Sequence, residues 1–426
     1  MIDLALLRKQ PETIKKAIDD KRAGDPSSVD EALALDEAYR SIQTQLQDHQ
    51  TKSNTLSKDI GQLFREGKRE EAEAIKAQTS EIKAAMKGLE EEAREKREAL
   101  NRVLLDLPNI PHESVPIGYT PEENQVVFET EEKPGFDFQP LPHWELAQKH
   151  GLLDFERGSK VTGAGFPFYI GKGARLQRAL INFFLDVATN EGGYTEIQPP
   201  IFINAASATG TGALPDKEDQ MYEMTRDTFY AIPTAEVPVT NFHRDEILEA
   251  AQLPIKYAAY TPCFRREAGS YGKDVRGLNR LHQFDKVELV QWVDEDQSYE
   301  ALESLREDAE RLINRLGLPY RRLLMCSGDL GFTQAKKYDL EVWSAGQERW
   351  LEVSSASNFE AFQARRMNIR YRKEGEKKPV FVHTLNGSGL ALPRIVAALL
   401  ENGQQADGSI LLPEALHPYA GFERIG

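Results

Sequence analysis

The sequence predicts an α+β protein in which an N-terminal antiparallel α-helical coiled-coil arm precedes a body built on an antiparallel β-sheet with helices. In the first quarter of the chain, apolar residues recur at alternating spacings of three and four, which is typical of coiled-coil helices. From residue 194 onward, short strand-like runs follow one another with few helices between them. That succession favours an antiparallel sheet over alternating parallel βαβ units.

The arm is predicted to be a hairpin of two long helices over residues 30–105. A short helix from Pro11 to Gly24 precedes it, because proline suits the first turn of a helix and glycine its end. The seam of the first long helix consists of Leu35, Tyr39, Ile42, Leu46, His49, Ser53, Leu56, Ile60 and Leu63. The seam of the second consists of Ile75, Thr79, Ile82, Met86, Leu89, Ala93, Lys96, Leu100, Val103 and Leu107. A turn between Gly61 and Gly67 separates them, so we expect antiparallel packing.

Several cations lie near the tip of this hairpin: Lys52, Lys58, Arg65, Lys68 and Arg69. On charge alone, a solvated face with intrahelical ion pairs is the favoured interpretation. A phosphate-binding prong is the alternative. The prolines that follow, Pro108, Pro111, Pro116 and Pro121, interrupt any helix. We therefore expect one domain over residues 1–108 and a second over residues 109–426.

The body is predicted to contain a helix between Gln139 and Gly151, an amphipathic helix from Ala174 to Thr189 and a last helix from Ala391 to Glu401. The predicted strands are Tyr194–Gln198, Thr228–Ile232, Lys256–Tyr260, Gln283–Trp292, Tyr338–Trp343, Trp350–Ser355, Asn368–Tyr371 and Phe381–Leu385. The glycine-containing stretch from Gly165 to Lys172 does not have the spacing of a phosphate loop. This is not the pattern of a doubly wound nucleotide-binding fold.

Composition excludes several classes of protein. The chain has 426 residues, 40% of them hydrophobic, and a net charge of −15, which excludes disordered and collagen-like chains and disfavours non-specific coating of nucleic acid. No apolar run approaches the ~18 residues of a membrane span, and the start lacks a signal-peptide pattern. The two cysteines are too few for a disulfide framework or a Cys-rich zinc site. We expect a cytoplasmic protein with no membrane association.

The densest chemistry lies between residues 262 and 290. A strand that ends in Arg265, Arg266 and Glu267 leads into a glycine-rich loop, and a returning strand carries Phe284. Guanidinium groups grip phosphate oxygens in pairs, and an aromatic ring can stack on a base. Ordinary ion pairs on a surface hairpin explain the same residues equally well when this segment is taken alone.

Three segments together resemble the motifs of class II aminoacyl-tRNA synthetases. Phe264-Arg265-x-Glu267 with His282-Gln283-Phe284 resembles motif 2, Gly193 to Pro200 resembles motif 1, and Asn386 to Arg394 resembles motif 3. Within that class, Thr234-Ala235-Glu236, the run Glu352-Val353-Ser354-Ser355 and the helical arm resemble the seryl-tRNA synthetases of bacterial type. The resemblance covers essentially the whole chain. It implies a serine–tRNA ligase that forms seryl-adenylate from L-serine and ATP and passes the seryl group to tRNA.

The resemblance also implies site residues. The serine pocket would consist of Thr234, Ala235, Glu236, Arg265, Glu288, Asn386 and Ser388. We expect Glu288 to contact the serine hydroxyl and Glu236 the ammonium group. The ATP site would consist of Arg265, Arg266, Glu267, Leu281, Phe284, Glu352, Val353, Ser354, Ser355 and Arg394. Arg265 and Arg394 are the expected catalytic residues, on the α- and γ-phosphates.

Cofactors and partners follow from the same resemblance. Glu352 and Ser355 would hold Mg²⁺ between the phosphates, and no zinc is expected. The arm would bind the long variable arm of tRNA(Ser), with Lys52, Lys58, Arg65, Lys68 and Arg69 as candidate contacts. The family commonly charges tRNA(Sec) as well. Motif 1 implies a homodimer.

Three alternatives remain open on the sequence. A class II paralogue could charge a carrier protein, although such paralogues lack the arm. A catalytically inactive homologue could act as a regulator, which the intact set of Arg265, Glu267, Glu352, Ser355 and Arg394 disfavours. A coiled-coil scaffold would leave the motif-rich body unexplained.

Overall fold

A computed structural model of the chain describes residues 1–268 and 276–426. Within these ranges the chain divides into two compact units. One contains residues 2–19 and 24–108, and the other contains residues 1, 20–23 and 109–426. The glycine-rich loop predicted within motif 2 falls partly on residues 269–275, which lie outside the described residues.

The N-terminal part of the chain is helical: α1 (Leu4–Lys9), α2 (Pro11–Lys21), α3 (Ser28–Arg65) and α4 (Arg69–Asp106). Helices α3 and α4 have 38 residues each, which corresponds to about 57 Å at 1.5 Å per residue, and they pack antiparallel. Every predicted seam position is buried or half-buried, including polar Ser53 and Thr79, and all lie within the two helices except Leu107, which directly follows α4. The predicted coiled-coil hairpin is therefore confirmed.

The turn at the tip is shorter than the sequence indicated. Gly61 lies inside α3 on an exposed face, where a helix tolerates glycine at a cost of about 1 kcal/mol. The chain reverses at residues 66–68, where Gly67 adopts a φ of 79°. Gly67 thus supplies the left-handed conformation that ends the helix.

The helices of the second unit surround its sheets. They are α5 (His143–Lys149), α6 (Phe155–Val161), α7 (Lys172–Asn190), α8 (Ala205–Thr211), α9 (Glu236–Thr240), α10 (Ser298–Arg315), α11 (Phe362–Met367), α12 (Leu392–Asn402) and α13 (His417–Ala420). None of the helices in the described ranges is long and apolar enough to span a membrane.

The strands of this unit are β1 (Gln125–Glu129), β2 (Leu153–Asp154), β3 (Phe168–Tyr169), β4 (Thr195–Glu196), β5 (Phe202–Ile203), β6 (Glu223–Met224), β7 (Phe229–Ala231), β8 (Ile247–Glu249), β9 (Ile255–Phe264), β10 (Gln283–Val293), β11 (Tyr320–Leu324), β12 (Lys336–Ser344), β13 (Arg349–Asn358), β14 (Arg370–Arg372), β15 (Val380–Phe381), β16 (His383–Ala391), β17 (Ile410–Leu411) and β18 (Arg424–Ile425). In the described residues, eight of them form the main sheet in the order β1-β11-β12-β13-β16-β10-β9-β4. The neighbours pair antiparallel except for β4 with β9. The predicted antiparallel architecture is confirmed.

The main core lies between this sheet and helices α7, α10 and α12. On β10, Val287 and Leu289 belong to this core, whereas Val290 and Trp292 pack into a smaller core with residues of β8, α9 and α11. Successive side chains of a strand alternate between the two faces of a sheet. Lys286 and Glu288 consequently lie on the face opposite the main core, where the site described below is found.

Some elements are not predicted from the sequence. They include β1, an edge strand whose five residues are all exposed, together with β11 and α10. The strand of motif 3 is predicted to end at Leu385, whereas β16 continues to Ala391. The reason is that Gly387 and Gly389 suggest a loop. In the fold, they let β16 lie close to Leu305 and Leu289, which an added Cβ would approach to 3.2 Å.

Candidate active site

A polar cleft of about 590 Å³ opens on the face of the sheet that carries Lys286 and Glu288. Its walls come from β10, β13, β16, the ends of β9 and α12, and the segment after α8. The residues predicted to bind serine or ATP that line it are Thr234, Glu236, Arg265, Glu267, Leu281, Phe284, Glu288, Glu352, Val353, Ser354, Ser355, Asn386, Ser388 and Arg394. Strands that are far apart in sequence therefore bring these side chains into one place.

One end of the cleft is a buried hydrogen-bonded network. The Asn386 side chain donates to Glu288 Oε1 at 3.0 Å, and the Thr234 hydroxyl donates to Glu288 Oε2 at 3.2 Å. Lys286 pairs with the same carboxylate and donates to Thr234 Oγ1 at 2.8 Å. Burial raises the pKa of Glu288, and the charge of Lys286 offsets part of that rise. This end is suited to binding a small molecule with hydroxyl and ammonium groups.

Glu236, at the start of α9, lies at the same end of the cleft. Its Oε1 accepts a hydrogen bond of 2.7 Å from the buried amide of Gln363. Gln363 is fixed in turn by the Thr384 hydroxyl at 2.8 Å. The carboxylate is therefore held in one orientation, with its remaining lone pairs free to face the cleft.

The other end of the cleft carries cations and a ring. The guanidinium of Arg265 lies over the ring of Phe284, 5.1 Å from its centroid, and its Nε donates to the Pro233 carbonyl. Arg394 donates to the Glu352 carbonyl at 2.7 Å. Glu267 has a φ of 51° and pairs with Arg280 at 2.5 Å. This end is suited to a base and several phosphate oxygens.

A third group of residues can supply oxygen ligands to a cation. The Ser355 hydroxyl donates to Glu352 Oε1 at 3.2 Å. Partial desolvation raises the pKa of Glu352, but the charges of Arg394 and Lys337 outweigh it, so the pKa lies below its usual value. Beside them, Asp339 Oδ1 is buried without a hydrogen-bond partner among the described residues. A carboxylate and a hydroxyl in this position are the hard oxygen donors that Mg²⁺ prefers.

Two predicted residues do not line the cleft. Ala235 is fully buried and packs in the smaller core with Val239 and Ala259. Arg266 lines a neighbouring cavity of about 410 Å³, where its Nη1 donates to the Asp219 carbonyl at 3.2 Å. Neighbouring residues of an extended segment point in different directions, so the cleft receives Arg265 and not Arg266.

Several cleft residues were not predicted from the sequence: Lys217, Asn279, Arg280, Lys286, Gln334 and Lys337. The sequence does contain a pattern that indicates Lys286, because it lies two positions from both Phe284 and Glu288 on one strand and therefore shares their face. Lys337 and the buried residue Asp339 are likewise two positions apart on β12, so they share one face of the sheet, and they form an ion pair at 3.2 Å. The others come from loops, where no periodicity exists to indicate direction.

The five cations predicted to contact tRNA belong to the helical unit. All are exposed, and Lys68 pairs with Glu66 at 3.0 Å. Exposed carboxylates, among them Asp59, Glu70 and Glu71, lie between these cations along α3 and α4. The exposed positions agree with both interpretations of these charges.

Comparisons with known proteins cover both units. The family described as "Seryl-tRNA synthetase N-terminal domain" matches residues 1–111, and "tRNA synthetase class II core domain (G, H, P, S and T)" matches residues 221–403. A serine–tRNA ligase of Salinibacter ruber is 65% identical over 426 residues, which is 100% of this chain and 99% of that protein.

Solved structures give the same result. A seryl-tRNA synthetase from Pyrococcus horikoshii complexed with ATP has a TM-score of 0.93 at 35% identity and covers 100% of this chain and 99% of its own. A cytoplasmic serine–tRNA ligase from Naegleria fowleri in complex with AMP has a TM-score of 0.88 at 29% identity, covering 100% and 98%. Both units therefore match proteins of the same family. The chain belongs to the seryl-tRNA synthetases, within the class II aminoacyl-tRNA synthetases.

Proposed function

We propose that this chain is a serine–tRNA ligase and that the cleft is where it activates L-serine with ATP and transfers the seryl group to the 3′ end of tRNA. The observation that carries the proposal is the pairing of two chemically different ends in one cleft. Glu236, Glu288 and Thr234 form the end suited to a small amino acid. Arg265 and Arg394 form the end suited to phosphates.

Serine selectivity rests on hydrogen bonds in the buried network. In the proposal, Glu288 accepts from the serine hydroxyl and Glu236 accepts from the ammonium group. Alanine and glycine lack the hydroxyl, so they would leave Glu288 and its buried partners with an unmet hydrogen bond. Threonine would add a methyl group to a pocket bounded by Asn386 and Thr234.

Activation consists of an in-line attack at phosphorus. A serine carboxylate oxygen bonds to the α-phosphorus as the bond to the pyrophosphate oxygen breaks, and pyrophosphate leaves with the electron pair. No protein nucleophile is needed, because positioning and charge neutralisation account for catalysis of this type. Arg265 would neutralise the α-phosphate and Arg394 the γ-phosphate, while Phe284 would stack on adenine.

The residues at the phosphate end also fit Mg²⁺. Glu352 and Ser355 would hold it, because the low pKa of Glu352 keeps that carboxylate ionised and the Ser355 hydroxyl lies beside it. When bound, Mg²⁺ neutralises phosphate charge that arginine side chains alone would leave.

In the second step, a ribose hydroxyl of the terminal adenosine attacks the seryl carbonyl carbon, and AMP leaves. The proposed acceptor is tRNA(Ser), with tRNA(Sec) as a second acceptor to be tested. A helical hairpin can recognise a duplex through backbone and shape with few cations, which reconciles tRNA binding with a net charge of −15. The proposal includes a homodimer and a cytoplasmic reaction.

Serine-dependent ATP–pyrophosphate exchange tests the first step. We expect exchange with serine and none with threonine, alanine or glycine. Deletion of residues 30–105 tests the acceptor: exchange should persist while transfer to tRNA is lost. Absence of exchange by the folded wild-type protein would contradict the proposed function. Transfer of the seryl group to a carrier protein after the deletion, with none to tRNA before it, would indicate a carrier-protein ligase.

A further inference from the structure

A buried histidine and a buried glutamate form a pair next to the phosphate end of the cleft. His143, the first residue of α5, and Glu401, near the end of α12, both have fully buried side chains. His143 Nδ1 lies 2.7 Å from Glu401 Oε1. The other ring nitrogen, Nε2, accepts a hydrogen bond of 2.8 Å from the backbone N–H of Leu278. These partners require the proton on Nδ1 and the lone pair on Nε2.

The carboxylate of Glu401 is held by several further donors. It accepts from the backbone N–H of His143 at 2.9 Å, from that of Gly346 at 3.0 Å, and from the Gln347 amide at 3.0 Å. The Ser344 hydroxyl also donates to it. Burial raises the pKa of Glu401, but the hydrogen bonds from His143 and Ser344 outweigh this and the pKa lies below its usual value. A charged group fixed in this way is a rigid support for the imidazole ring.

Leu278 begins a four-residue segment, 278–281, whose members all line the cleft. The carbonyl of Asn279 accepts from Arg394 Nε at 3.2 Å. The next residue, Arg280, forms the ion pair with Glu267. The segment therefore contacts Arg394 and Glu267, two of the residues that we assign to ATP.

Glu401 also supports this segment through a second contact, which runs by way of Gln347 to Asn279. The Asn279 amide donates to Gln347 Oε1 at 2.8 Å, and the Gln347 amide donates to Glu401. Close packing adds to these bonds: Gly277 has a φ of 63°, and a Cβ there would lie 2.1 Å from His143 Nε2. The ring thus lies directly against the backbone that it supports.

We propose that His143, held by Glu401, is a positioning residue for ATP: it fixes the backbone of residues 277–280 so that Arg394 and Glu267 face the nucleotide. Neither member of the pair lines the cleft in the part of the chain that the structure describes. Their effect on the reaction therefore passes through residues 278–280. The inference rests on the proposed function for the identity of the nucleotide.

Two substitutions separate positioning from general stability. In His143→Gln, the amide can reach the place of Nε2 and still accept from Leu278 N–H. In His143→Asn, the shorter amide reaches the place of Nδ1, so it can donate to Glu401 but leaves Leu278 N–H without its acceptor. Both variants keep a polar group in a fully buried position, so we expect similar losses in unfolding temperature.

ATP affinity should differ between them. Calorimetry of ATP–Mg²⁺ binding, without serine, should give a dissociation constant about tenfold higher for His143→Asn and within about threefold of wild type for His143→Gln. In the exchange assay, KM for ATP should follow the same order, while KM for serine changes little. His150→Asn is the matched control, since His150 bonds to the Gly408 carbonyl and lies outside the cleft lining.

Equal ATP affinities for the two His143 variants would overturn the proposal, as would a parallel rise in KM for serine. If His143→Asn does not fold, Gln347→Leu breaks the second contact with Asn279, and unchanged ATP affinity in that variant would overturn it instead. Because ATP binding is measured directly, a wild-type protein that binds ATP without serine-dependent exchange would contradict the proposed function and leave this test intact. A wild-type protein that does not bind ATP would overturn both.

Discussion

Lys286 and Glu288 lie two residues apart on β10, and their side chains form an ion pair inside the cleft, where both are more than nine-tenths buried. The carboxylate also accepts from Asn386 and Thr234. The lysine is therefore part of the end of the cleft that we assign to serine. Its charge offsets part of the rise in the pKa of Glu288, and its ion pair fixes the orientation of the carboxylate.

Replacing this lysine should affect both binding and stability. Lys286→Met leaves Glu288 buried without its cation, which costs about 3 kcal/mol of unfolding free energy. KM for serine should rise at least about tenfold because the carboxylate loses its orientation. Denaturant unfolding and serine-dependent exchange measure the two effects. Lys336→Met, the same change on β12 outside the cleft lining, should affect neither strongly.

The pH dependence of serine binding should follow Glu288. Its pKa is raised, so it takes up a proton at a higher pH than an ordinary glutamate does. Serine affinity should therefore fall as the pH is lowered from neutrality towards that raised value. The free energy of unfolding should rise as the pH falls through the raised pKa, because the folded state binds this proton more tightly than the unfolded state does. Calorimetric titration of serine at several pH values would show a flat profile for Glu288→Gln if this carboxyl is responsible.

Two adjacent arginines should differ sharply in their effect on activation. Arg265→Ala should lower the exchange rate by at least about a hundredfold, since the residue is assigned to the α-phosphate. Arg266→Ala should change it by less than about threefold, because Arg266 lines the neighbouring cavity. Retained exchange in Arg265→Ala would contradict the assigned mechanism. Equal losses in the two variants would place Arg266 in the ATP site after all.

The helical unit contains a buried carboxylate that pairs with two exposed arginines and can be tested separately. Asp36 is almost fully buried and accepts from Arg8 at 2.6 and 2.8 Å and from Arg40 at 2.9 Å. The hydrogen bond from Arg8 is the main reason that the pKa of Asp36 is lowered. Asp36→Asn should cost about 2 kcal/mol at neutral pH. A lowered pKa contributes stability that is lost as the pH falls through it, so the difference from wild type should vanish in acid. Hydrogen exchange within residues 24–108 would report it.

The cations at the tip of the arm should act on transfer and leave activation unchanged. Replacing Lys52, Lys58, Arg65, Lys68 and Arg69 with alanine should weaken tRNA binding and reduce the dependence of its affinity on salt, since each phosphate contact contributes to that slope. Pyrophosphate exchange is the internal control. An unchanged salt slope would favour the simpler interpretation of these residues as a solvated charged face.

The elements that could be predicted from the sequence are those whose apolar residues recur with a fixed period. The seams of α3 and α4 were visible because residues such as Ile42 and Leu100 recur with a fixed period. Lys286 was missed because a charged residue in a strand normally faces water. His143 and Glu401 are 258 positions apart, and no local pattern connects them. Contacts of this kind arise from tertiary packing, which the order of residues does not reveal without the fold.

The place of β16 in the sheet has a consequence for how the protein is made. This strand lies between β13 and β10, yet it comes from residues 383–391, near the end of the 426-residue chain. During synthesis, the strands on either side of β16 are therefore made before the strand that joins them into one sheet, and each group has an open edge until then. Chains released before residue 383 lack both Asn386 and Arg394 and so lack one lining residue from each end of the cleft.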